Sequence, residues 1–233
     1  MRNAKALLDN LLGSLARMHG GQGARGLTDK AKEAWNNQST LGKGAIAGGL
    51  LGILMTRGGR RLLGSGARIG GVALIGGLAY RAYTDWKAGR DAATGAGAQG
   101  LLAAGGTEFL PDDPEAADDL ATRILQAMIA AARADGHVTA EERARIEGQL
   151  DNLGLSAEAA ALVAGELDAP LDAARVAALA RNDHEATELY AASLLVVDQD
   201  SDVERDYLDR LAAALRLEPG LVAHLHARAA ELA

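Results

Sequence analysis

From residue 115 to the C-terminus, apolar residues recur three and four apart in short runs, and Gly, Pro or Asn interrupts them. That pattern predicts an all-α fold whose helices are too short to persist singly and must pack together. Seven helices are expected. They are "DDLATRILQAMIAAARA", then "AEERARIEGQLDNL" ended by Gly154, then "AEAAALVAGEL" opened by Ser156. "LDAARVAALARN" follows Pro170, and "HEATELYAASLLVV", "DVERDYLDRLAAALR" and, after Pro219, "LVAHLHARAAEL" complete the set. Leu120, Ile124, Met128 and Ile129 stripe the first; Leu189, Ala192, Leu195 and Val196 stripe the fifth. Residues 115–233 suffice for one compact bundle with its own core.

The preceding sequence differs in kind. Residues 1–110 carry 14 Lys+Arg against 6 Asp+Glu, a net of +8, whereas residues 111–233 carry 10 against 25, a net of -15. Of 29 glycines, 24 lie before residue 111. Halves this unlike are expected to keep separate cores. Three regions are therefore predicted: 1–86, Gly-rich and basic; 87–114, a linker with Pro111 and Pro114; and 115–233, the acidic helical domain.

Within the first region, Leu7, Leu8, Leu11, Leu12, Leu15 and Met18 mark an amphipathic helix that lacks the features of a secretory signal. The uncharged runs 44–56, "GAIAGGLLGILMT", and 69–80, "IGGVALIGGLAY", follow. As helices they span roughly 18–20 Å, short of a bilayer core of about 30 Å, unless flanking Lys43, Arg57, Arg68 and Arg81 snorkel. Gly44, Gly48 and Gly52 form a ladder that lets a partner helix approach closely, so self-association through these glycines is expected. Tyr80, Tyr83 and Trp86 stand where an interfacial aromatic belt would lie. Glycine weakens a helix in water by roughly 1 kcal/mol each, which favours lipid over water for these runs. A membrane hairpin is the expectation.

The first and fifth helices each run into an acidic turn, "ADGHVTAEE" and "DQDSDVE". Thr139 with Glu142, and Ser201 with Glu204, match capping boxes, which need no ligand. Asp198, Asp200 and Asp202 alternate as a calcium loop does, but Val203 and Asp209 stand where that loop needs Gly and Glu, which rejects an EF-hand. What survives is a hard-cation site shared between the turns. Asp135 and Glu142 would come from one, and Asp198, Asp200 and Glu204 from the other. Calcium, magnesium or manganese suits such oxygens. Caps and metal both stand as readings.

"AARADGHVTAEERARI" and "DQDSDVERDYLDRLAAAL" resemble the acidic turns of the TerB-like domain, named for tellurite resistance. With the Gly-rich N-terminal half, the whole chain resembles the bacterial YebE-like inner-membrane family. That resemblance implies a seven-helix pseudo-two-fold bundle, divalent-metal ligands at Asp135, Glu142, Asp198 and Glu204, and a role in stress response. The second turn lacks the Gly of the first and is one residue shorter.

Composition excludes several chemistries. No cysteine is present, so disulfides and thiolate metal sites are out. Aromatics at 3% leave no stacking platform for nucleic acid. There is no G-x-S-x-G elbow, no Walker loop and no strand-linked G-x-G-x-x-G. His224 and His226, two apart, face different ways and cannot chelate together, while His184 reads as a surface residue after a capping Asp183. The expectation is a non-enzymatic protein on the bacterial inner membrane. Its acidic domain would be cytoplasmic and bind a divalent cation or a protein partner. The rivals are a soluble adaptor without metal and a metal-dependent hydrolase.

Overall fold

The computed structural model describes residues 4, 5, 8, 71–91, 104–134, 157–197 and 201–231. Among them the elements are α1 Gly71–Lys87, α2 Pro114–Ala132, α3 Ala157–Asp168, α4 Ala173–Ala177, α5 Asp183–Val196, α6 Asp202–Ala214 and α7 Pro219–Glu231. The all-α expectation holds. The predicted helix "AEERARIEGQLDNL" and the glycines Gly44, Gly48 and Gly52 lie outside the described residues.

Local chemistry sets the helix ends. Asp113 accepts from the Ala116 amide at 2.8 Å, with Pro114 in the first turn where its missing N–H costs nothing. Asn182, one residue earlier than the Asp183 expected from sequence, caps α5 by accepting from the Glu185 amide at 2.9 Å. The predicted fourth helix contracts to five residues. Beyond it Leu179 and Ala180 donate three residues back, to Val176 and Ala177 at 3.1 Å, and this tighter winding ends the α-helix.

The principal correction concerns α1. Its sequence was expected to form the second arm of a membrane hairpin, apart from the acidic domain. Instead it packs on α5 and α7, and Val72, Ile75, Leu78, Ala79 and Ala82 share one core with Ile124, Leu189 and Leu225. The boundary drawn at residue 86 therefore cuts through a core. Magnitudes explain it. Burying Val72, Ile75 and Leu78 contributes about 1.5–3 kcal/mol each, which outweighs a helix penalty of about 1 kcal/mol each for Gly76 and Gly77. No helix among the described residues is long and apolar enough to cross a membrane. Tyr80, Tyr83 and Trp86 likewise serve the bundle. Tyr80 and Tyr83 meet Phe109 with centroids 5.8 and 5.6 Å away, and Tyr83 meets His184 at 5.0 Å. The Trp86 indole covers Gly220, where a Cβ would stand 3.1 Å from its Nε1.

Two buried ion pairs tie distant elements together. Asp85 of α1 meets Arg228 of α7 at 3.0 Å, and Arg123 of α2 meets Glu185 of α5 at 2.8 Å. α1 ends in a Schellman turn: Gly89 takes φ 62, its amide reaches the Trp86 carbonyl at 3.0 Å, and Arg90 reaches Asp85 at 3.0 Å. At the other end of the sequence, Leu8 and Ala4 are buried in the same core, and the Lys5 amide donates to Asp118 Oδ1 at 2.9 Å.

Candidate functional site

The elements leading into the two acidic turns run side by side in the same direction. Arg181 lies 3.3 Å from Asp119 and Glu185 2.8 Å from Arg123, each pair 62 residues apart in sequence. Farther along, Ser193 Oγ approaches the Ala127 carbonyl at 3.5 Å. That offset is close to the one relating the two turns in the sequence. α2 and α5 therefore finish at one end of the bundle, where Ala134 and Val197 are both buried.

Of the predicted ligands, Asp135, Glu142, Asp198 and Asp200 lie outside the described residues. Glu204 is described: it sits half-buried in the first turn of α6. Ser201 occupies the N-cap of that helix as expected, but its side chain makes no capping hydrogen bond, and Asp202 pairs instead with Arg205. Among the described residues no group of three or more His, Asp or Glu gathers as a metal site.

The polar interior is richer than the sequence suggested. Glu166 of α3 is buried, pairs with Arg175 of α4 and accepts from Gln126 of α2 at 3.3 Å. Arg133 donates to the Glu166 and Ala169 carbonyls at 2.8 and 2.9 Å. Above this cluster lies the Tyr207 hydroxyl, fully enclosed, and burial is the main cause that raises its pKa.

Glu188 is the most unusual group. It sits in α5 with no exposed surface, and neither carboxylate oxygen has a hydrogen-bond partner among the described residues. Burial is the largest cause holding its pKa well above the usual carboxylate range; the Glu185 charge adds to the rise and Arg123 opposes it. Enclosure without a donor favours the neutral acid over the carboxylate there. The sequence carried a signal for it. α5 is buried from Glu185 through Val196, and a helix enclosed on every side must enclose any acid within it.

The histidines divide as the spacing predicted. His224 Nδ1 lies 2.7 Å from the Gly220 carbonyl and Nε2 lies 2.9 Å from the Arg90 carbonyl. His226 turns to Tyr190, 2.9 Å from its hydroxyl. His184 is not the surface residue that sequence suggested: it is half-buried, pairs with Glu108 and stacks edgewise on Phe109 at 4.7 Å.

Over residues 40–229 the sequence matches the family described as a protein of unknown function, DUF533. The chain belongs to the DUF533 family. That match begins well before α1 and runs through most of α7, so it includes the helix that sequence reasoning had set apart from the acidic domain. The DUF533 chain is also 37% identical, over 100 residues, to an uncharacterized protein in the ampR 5′ region of Yersinia enterocolitica. The aligned part covers 43% of this chain and 72% of that protein. No solved structure matches.

Proposed function

We propose that this DUF533 chain is a non-enzymatic, membrane-associated protein whose acidic helical module holds a divalent cation between its two acidic turns. Asp135, Glu142, Asp198, Asp200 and Glu204 supply oxygens, and calcium, magnesium or manganese is the ion. The observation that carries the reading is the parallel course of α2 and α5, whose C-terminal ends lie at one end of the bundle. Antiparallel helices would have set the turns at opposite ends and made a shared ion impossible. The finer kinship with YebE-like and TerB-like proteins, inner-membrane location, a cytoplasmic acidic domain, self-association through Gly44, Gly48 and Gly52, and a stress-response role belong to the same proposal. They rest on resemblance and on the glycine ladder.

The test is calorimetric titration of the full chain with each ion, beside the variant Asp135→Asn/Glu142→Gln. A fragment beginning at residue 111 is unsuitable, since it lacks α1 and would open the core. Heat in the wild type that vanishes in the variant supports the reading. Equal heats, or none, reject it.

A second reading, a soluble adaptor without metal, is favoured by one observation: the apolar run of α1 is spent inside the bundle. Cell fractionation decides between the two. Recovery in the soluble fraction without detergent would remove the membrane.

A further inference from the structure

α1 touches the bundle at one place where a proton decides the contact. Opposite Gly76, a built Cβ would stand 2.4 Å from the Phe109 carbonyl oxygen and 3.3 Å from Glu188 Oε1. The helix backbone thus lies directly over an enclosed carboxyl that has no hydrogen-bond donor to stabilise a charge. An ionised carboxylate there would be desolvated and uncompensated. At its other end, α1 passes through the Gly89 turn to Arg90, whose carbonyl is held by His224 Nε2 while Nδ1 faces Gly220.

We propose that α1 is a proton-controlled clasp: it lies docked on α5 and α7 while the Glu188 carboxyl is neutral, and it loosens as that proton is lost. The inference rests on the docked helix alone, not on the metal or membrane reading.

The surrounding charges leave this logic intact. Arg123 from α2, the cation that acts on Glu188, is already paired with Glu185. Asp85 from α1 is paired with Arg228 of α7, and Glu108 with His184. Asp209 of α6 acts on Tyr190 and His226. His226 works in the opposite sense: burial lowers its pKa, so its protonation in acid disfavours the fold. Comparing variants at each pH cancels that contribution. Release of α1 would uncover Val72, Ile75, Leu78, Ala79 and Ala82, a continuous apolar strip.

Amide hydrogen exchange on the full chain is the test, scanned from about pH 5 to about pH 9, which lies above the ordinary carboxyl range. Protection of Gly71–Lys87 is expressed relative to Pro114–Ala132 in the same sample. The wild-type ratio is expected to fall about tenfold as pH rises, the factor carried by one pH unit of proton linkage. Glu188→Gln, neutral at every pH, should keep most of that ratio. A Glu188→Gln profile superimposable on the wild type would overturn the clasp. Should that variant not fold, the wild type's infrared spectrum decides: a carboxylic-acid C=O band must persist above the ordinary carboxyl range and vanish as α1 loses protection. Absence of that band also overturns it.

Discussion

Asp85 Oδ2 and Arg228 Nη2 lie 143 residues apart in sequence and 3.0 Å apart in space, and the Arg228 side chain is only 3% exposed. The pair joins α1 to α7, spanning the boundary at which composition divides the chain. Removing Asp85 leaves the enclosed Arg228 charge with Glu231 as its remaining acidic neighbour. Asp85→Ala should therefore lower stability by about 1.5–3 kcal/mol in urea unfolding, the worth of a lost hydrogen bond to a charged group, while Asp85→Leu/Arg228→Met should recover part of that loss. A single variant costing under about 1 kcal/mol would show that the pair does not hold α1.

Two glycine replacements should act in opposite directions. At Gly76 a methyl would press on the Phe109 backbone carbonyl, which cannot swing aside, so Gly76→Ala should cost about 1–3 kcal/mol. At Gly165, on α3, nothing lies within 4 Å of a built Cβ, so Gly165→Ala should stabilise by up to about 1 kcal/mol. Thermal melts of both, side by side, check the sign of each.

Arg216 ends α6 with φ 56, a left-handed conformation that side chains resist. Its amide reaches the Ala213 carbonyl at 3.1 Å and Leu217 reaches Ala212 at 3.0 Å, completing a Schellman turn. Arg216→Gly relieves roughly 1–2 kcal/mol of backbone strain against roughly 0.5–1 kcal/mol of added unfolded-state entropy. A net gain of about 0.5–1 kcal/mol is expected from chemical denaturation.

Acid and base should weaken the protein through different residues. The folded state raises the Glu188 pKa above its ordinary 4.5, so the stability it contributes is complete below that pH and is lost as pH rises through the folded value. The folded state lowers the His226 pKa below 6.5, so its contribution is present above that pH and lost as pH falls through the folded value. In unfolding curves taken across pH, Glu188→Gln should flatten the alkaline decline and His226→Asn the acid one. If each variant altered the opposite limb, the assignments would be wrong.

Much of this architecture was legible before any coordinates. The apolar spacing of Leu120, Ile124, Met128 and Ile129 marks the buried face of α2, and all four are buried. The position of Pro114, the N-cap at Ser201 and the divergence of His224 from His226 were equally local and equally readable. The echo between the acidic turns suggested a repeat, and α2 and α5, which lead into them, meet at a 62-residue offset close to that echo.

What the chain alone determined was therefore everything governed by neighbours within a turn or two: helix class, most helix starts and stops, and which face is apolar. Where α1 belongs was decided only by tertiary structure. A glycine-rich apolar helix satisfies its backbone in either lipid or a protein core, and its own residues cannot say which. Contacts more than a hundred residues distant, Gly76 beneath Glu188 and Asp85 against Arg228, supply the burial that outweighs its poor helix propensity. The ionisation of Glu188 follows the same rule, because it depends on what surrounds a side chain rather than on what adjoins it.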